Sequence, residues 1–143
     1  MQLSELNLSG LQVDRGSFLP GNPTSIKDID LDDQSQSRSP SNETAEKAFD
    51  GDSSTKYLNL GGSNSGFELT YGLDTKITGF TITTARDSDD YPRRDPISYQ
   101  LYGLNNDTWT LISSGDLLTP TIKSKEFYTK VDSPSYNQQY RLV

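Results

Sequence analysis

From residue 67 onward, apolar side chains recur at every second position in short runs separated by Gly, Asn, Asp and Pro. That period admits β-strands and little else. FELTY at 67–71, KITGFTITTA at 76–85, ISYQLYG at 97–103, TWTLIS at 108–113, KEFYTKV at 125–131 and QQYRLV at 138–143 all read as strands. Phe80 and Ile82 share one face, as do Ile97, Tyr99 and Leu101, while Trp109 and Leu111 are expected to point inward together. The pattern predicts an all-β fold, an antiparallel β-sandwich with a modest core.

The first third of the chain is less regular. IKDIDL at 26–31 predicts a short strand, and ETAEKAF at 43–49 one short helix with Asn42 as its cap and Glu43 and Glu46 at its positive end. Asp28, Asp30 and Asp32 alternate with Ile29 and Leu31, which suits either a second cation or a strand edge kept from pairing by charge. Residues 1–25 carry scattered Leu3, Leu6, Leu8 and Leu11 and a Pro/Gly break at 19–23, and read as an extended N-terminal arm or linker. Residues 26–143 are then the folded unit. The last predicted strand runs to Val143, which suggests a sheet truncated there or completed by another chain.

Composition limits the chemistry. The chain has no His and no Cys, which removes Ser-His-Asp and Cys-His nucleophile systems, nitrogen or thiolate metal sites and disulfides. Any metal must be held by oxygen. The net charge of -7 argues against a nucleic-acid backbone or an anionic membrane surface as partner. No apolar run approaches the ~20 residues of a membrane span. No carboxylate pair stands out as glycosidase machinery, so an enzyme is not expected.

Two stretches carry a specific likeness: PSNETAEKAFDGDSSTKYLNLGG at 40–62 and TARDSDDYPRRDPISYQLYG at 84–103. With Trp109-Thr110-Leu111-Ile112 and the closing Tyr140-Arg141-Leu142, they resemble, in order, the discoidin or coagulation factor V/VIII type C family of galactose-binding-like domains. The likeness is nearest to the family-32 carbohydrate-binding modules. It implies a jelly-roll-like sandwich, usually a non-catalytic binding module that presents loops at one end.

In the first stretch, Asp50 and Asp52 flank Gly51, and Thr55 follows at close range. Hard oxygens on a glycine-bent loop suit Ca²⁺, which takes about six to eight of them. The same turn is also explained by Asx hydrogen bonds alone. The resemblance places the ion on Lys47 (through its carbonyl), Asp50, Asp52 and Thr55, with a further carbonyl and a Glu from the last strand.

In the second stretch, Tyr91 and Arg93 are the ligand candidates: an exposed ring for the apolar face of a sugar, and a guanidinium for its hydroxyls or for an acidic group. Arg94 and Asp95 suit an internal bridge, Arg94 reaching Asp87 or Asp95. Asn59 and Asn64, with Ser63, are secondary candidates whose alternative is ordinary turn chemistry. Tyr57 and Trp109 are expected in the core.

Two functions follow as expectations. One is a calcium-stabilised module recognising a glycan or other cell-surface ligand, extracellular or on a cell or virion surface. The other is an assembly subunit of a virion, fibre or surface layer, using residues 1–25 and the last strand to form an oligomer.

Overall fold

The computed structural model describes residues 1–12, 16–18, 23–32, 39–117, 119 and 122–143, with backbone alone for 16–18. Among them the chain is an all-β antiparallel sandwich whose strands are β1 (Gln2–Leu3), β2 (Glu5–Gln12), β3 (Gly16–Phe18), β4 (Ser25–Asp30), β5 (Tyr57–Leu58), β6 (Ser65–Thr83), β7 (Ser98–Asn105), β8 (Thr108–Asp116), β9 (Glu126–Lys130) and β10 (Tyr136–Leu142). No helix among the described residues is long and apolar enough to cross a membrane.

β6 organises the fold. Along one edge it pairs first with β4, opposite 65–70, and then with β2, opposite 75–83. Along the other it pairs with β10 and then, over 79–83, with β9. One strand therefore serves two layers. β10 continues the first layer to β7 and β8, and β2 continues the second to β3. The layers meet over an apolar core, where Phe80 of β6 packs edge-on against Tyr99 of β7 with ring centroids 5.2 Å apart.

A bulge lets β6 keep its core face over such a length. Phe67, Leu69, Tyr71 and Ile77 are buried at odd positions, but Phe80 and Ile82 at even ones. The register passes from Gly10↔Ile77 to Ser9↔Gly79, leaving Thr78 unpaired and flipping the parity.

Several sequence expectations change here. Residues 1–12 are not an arm: β2 lies between β3 and β6, and Leu3, Leu6 and Leu8 are buried in the core. Tyr57 is in the core as expected, but Trp109 and Leu111 are not. The pairing of β7 with β8 skips Ile112, so Leu111 sits opposite outward-facing Tyr102 and Trp109 opposite Leu104. Ile112 and Ser113 turn inward in their place, and Leu111 is 48% exposed. Trp109 instead lies under the Arg141 guanidinium, 4.1 Å from its ring centroid, and Arg141 bonds Glu68 at 3.0 Å. Ile97, outside β7, is exposed. The expected helix is one 3-10 turn, Ala45–Phe49, with Thr44 rather than Asn42 at its N-cap position and no side-chain capping bond there. β10 is interior to its layer, paired with β6 on one edge and β7 on the other, with Val143 and Gln100 exchanging backbone hydrogen bonds.

Candidate functional site

Two clusters gather the polar chemistry. The first is the turn after Ala45–Phe49. Ala45, Ala48 and Phe49 anchor that turn in the core, and Phe49 meets Phe67 edge-on. The chain then reverses at Gly51, whose φ of 72° needs no Cβ. Asp50 Oδ1 accepts from the Asp52 amide at 2.9 Å, and Asp50 Oδ2 from the Thr55 hydroxyl at 2.7 Å. Asp52 Oδ1 accepts from the Ser54 amide and hydroxyl. Lys47 lies in the last turn of the 3-10 segment.

Glu5 completes this cluster, from the segment expected to be an arm. Its side chain comes off β2 onto the turn, beside Asp50 and near the amides of Gly51 and Asp52. The residue is only 8% exposed, and its Oε1 is buried with no donor. Burial first, and then the Asp50 contact, push the Glu5 carboxyl up to about 7. Burial also pulls Asp50 upward, but hydrogen bonds from Thr55, the Asp52 amide and Glu5 outweigh it and hold it below the usual range. Hydrogen bonds from Ser54 lower Asp52. No group of three or more carboxylates converges to hold a metal among the described residues, so an ion here would draw on carbonyls and hydroxyls beside Glu5 and Asp50.

The second cluster is the loop before β7. Arg94 does not bridge to Asp87 or Asp95. Its guanidinium stacks on the Tyr91 ring at 4.2 Å, while Lys56 Nζ bonds Asp87 at 2.7 Å and approaches Glu43 at 3.6 Å. Asp95 Oδ1 accepts from Gln2 Nε2 at 2.8 Å and from the Ser88 hydroxyl at 2.9 Å. Gln2 also donates to the Tyr91 carbonyl at 2.9 Å. The loop is thus fixed from beneath by β1, leaving Tyr91 47% and Ile97 74% exposed.

A groove of about 940 Å³ opens beside it, and its lining includes Arg93, Arg94, Ile97, Asn64, Gln100 and Asp116. Asn64 holds a positive φ of 62° and leans toward Asp32 at 3.4 Å. The structure therefore brings Arg93 and Asn64 to one groove. Tyr91 does not line it, and Arg94 occupies one face of its ring. Asn59 is only 1% exposed and fully engaged: it donates to the Ile29 carbonyl and the Tyr57 hydroxyl and accepts from the Gly61 amide. That is a structural asparagine, because no amide atom is left to meet a ligand.

Sequence reasoning missed Glu5, Gln2, Lys56 and Ile97. For Glu5 one signal existed: Leu6 and Leu8 alternate around Asn7, the start of a strand that would carry Glu5 to the opposite face. No family model, curated protein or solved structure matches this chain.

Proposed function

We propose that this protein is a non-catalytic binding module, stabilised by calcium, that takes a carbohydrate or another cell-surface ligand in the groove between residues 62–65 and 92–97. The observation that carries the reading is the convergence of Arg93, Asn64 and exposed Ile97 on one open groove. A guanidinium and an amide supply directional hydrogen bonds to hydroxyls, and an exposed aliphatic side chain suits the apolar face of a pyranose. The resemblance to discoidin-type modules, and the absence of His and Cys, favour recognition over catalysis.

For calcium, the donor set fits on one observation: the Glu5 carboxyl lies beside Asp50, and its buried Oε1 has no hydrogen-bond partner. Two carboxylates pressed together need a proton or a cation between them. Glu5, Asp50 and Thr55, with the Lys47 carbonyl and Asp52, would hold the ion, and the ion would supply rigidity to a chain that has no disulfide. Glu5 of β2 takes the part that the resemblance gives to a last-strand Glu. The setting is extracellular or on a cell or virion surface, where calcium and glycans are both available.

The test is a glycan array followed by chemical-shift titration with the best ligand. Shifts confined to residues around Arg93, Asn64 and Ile97, and at least tenfold weaker binding in Arg93→Ala, are expected. Binding to no glycan, or binding indifferent to Arg93→Ala and Asn64→Ala, would overturn the groove as the site.

A further inference from the structure

Lysine is almost never buried unless it is paired. Lys56 is only 5% exposed, and it has two acids where an ion pair needs one: Nζ lies 2.7 Å from Asp87 Oδ2 and 3.6 Å from Glu43 Oε1. Lys56 leads into β5, Asp87 follows β6, and Glu43 precedes the 3-10 turn. Backbone bonds hold both acids in place. The Asp87 carbonyl accepts from the amides of Asp90 and Tyr91, and the Glu43 carbonyl accepts from the amide of Leu58, two residues beyond Lys56. Nζ also lies over the Tyr91 ring, 5.9 Å from its centroid.

As an ion pair, this arrangement is unfinished. Asp87 meets Lys56 through Oδ2, while its buried Oδ1 has no hydrogen-bond partner among the described residues. A buried pair repays its desolvation only when the remaining lone pairs are satisfied, and an orphaned buried acceptor is costly. Condensation of the two side chains removes both costs. It discards one of the two Asp87 oxygens and replaces an ammonium and a carboxylate with one neutral amide.

We infer that Lys56 and Asp87 are joined by an intramolecular isopeptide bond that forms in the folded protein, with Glu43 as the proton carrier. Nζ passes a proton to Glu43, and the freed lone pair attacks Asp87 Cγ. The C–N bond forms and one C–O bond breaks. Of the three ammonium protons, one stays on the amide nitrogen and two leave with the expelled oxygen as water. Glu43 ends as it began and faces the amide N–H, so no oxidant or further reactant is needed. Fixed proximity supplies the activation that the same condensation lacks between free side chains in water. Glu43 and Asp87, 20% and 26% exposed, leave the water a way out. The bond spans 31 residues and ties the end of the Asp50–Thr55 turn to the loop that carries Arg93, in a chain with no cysteine for a disulfide.

Intact-mass spectrometry of the folded, full chain tests this. The unsubstituted protein should be lighter than its sequence by one water, and a protease digest should yield a branched peptide joining Lys56 to Asp87. Asp50-Gly51 can also lose water, as a succinimide, but hydroxylamine cleaves that ring and leaves a side-chain amide intact. Lys56→Arg keeps the charge without the nucleophile and should show the full sequence mass. Asp87→Asn should instead be lighter by one ammonia. Glu43→Gln, with a melting temperature that reports intact folding, should retain its full mass. Full sequence mass in the unsubstituted chain after prolonged incubation at neutral pH, or a water loss that persists in Lys56→Arg, would overturn the inference. A bond that forms equally well in Glu43→Gln would overturn the part given to Glu43.

Discussion

Gln2 and Asp95 lie 93 residues apart in sequence, yet Gln2 Nε2 donates to Asp95 Oδ1 at 2.8 Å with both side chains buried. The same amide group donates to the Tyr91 carbonyl, so one side chain of β1 sets both ends of the loop that carries Arg93. Gln2→Ala leaves a buried carboxylate and a carbonyl short of a donor. Each such loss costs roughly 1–3 kcal/mol. The variant is expected to melt several degrees lower by calorimetry and to bind the groove ligand more weakly. An unchanged melting temperature would show that water replaces the amide.

Asp95 makes the same region pH-sensitive. Burial pushes its carboxyl above the ordinary range, the Gln2 and Ser88 hydrogen bonds pull it back, and the Asp87 charge pushes it up again. A folded-state value above the unfolded one means that the native state binds the proton more tightly. Its contribution to stability is therefore complete below about pH 4, where unfolded Asp is protonated, and is lost as pH rises through the folded value. Asp95→Asn lacks this titration. Calorimetry from pH 7 down to about pH 4 should show the unsubstituted chain gaining on Asp95→Asn as pH falls; parallel profiles would contradict it.

Calcium should raise the melting temperature, and chelator should lower it, because an ion bound only to the native state stabilises by about 2.7 kcal/mol at a hundred times its Kd. Asp50→Ala and Glu5→Gln should each remove that response. Asp50→Ala also discards the hydrogen bonds from Thr55 and Asp52, so the response to chelator, not the baseline stability, is the reading that matters. A melting temperature indifferent to both ion and chelator in the unsubstituted chain would leave the turn as an Asx-bonded loop.

What the sequence disclosed was local. Strict alternation around Phe67, Leu69, Tyr99 and Leu101 located the strands, and the spacing of Asp50, Gly51, Asp52 and Thr55 marked a polar turn. The bulges at Thr78 and Ile112 were not legible, since a single unpaired residue leaves no trace in composition; the second reversed the faces of Trp109 and Leu111. β2 escaped for a similar reason: beyond Leu8 its buried positions are Gly10 and Gln12, which carry no apolar signal. The candidate sites depend on those hidden elements. Glu5 reaches Asp50 and Gln2 reaches Asp95 only because the first twelve residues join the sandwich, and Asn59 is consumed by contacts with Ile29 and Tyr57 that no local pattern announces.

The closest backbone approach in the first layer gives the sharpest test of its packing. A Cβ on Gly66 would lie 2.1 Å from the Leu142 carbonyl oxygen and 3.0 Å from the Val143 Cα, far inside van der Waals contact with main chain. Relief by movement is blocked, because Leu142 is paired with Phe67 on one side and Leu101 on the other. Gly66→Ala should therefore cost roughly 2–4 kcal/mol, at the upper end for overpacking. Gly72 offers the control: there a Cβ meets only the Thr24 methyl carbon at 3.8 Å. Gly72→Ala should be neutral or, by restricting the unfolded chain, stabilising by up to about 1 kcal/mol. Denaturant midpoints of the two variants should separate by well over the error of the measurement. Equal midpoints would mean that β10 does not pass against Gly66 as the pairing with β6 requires.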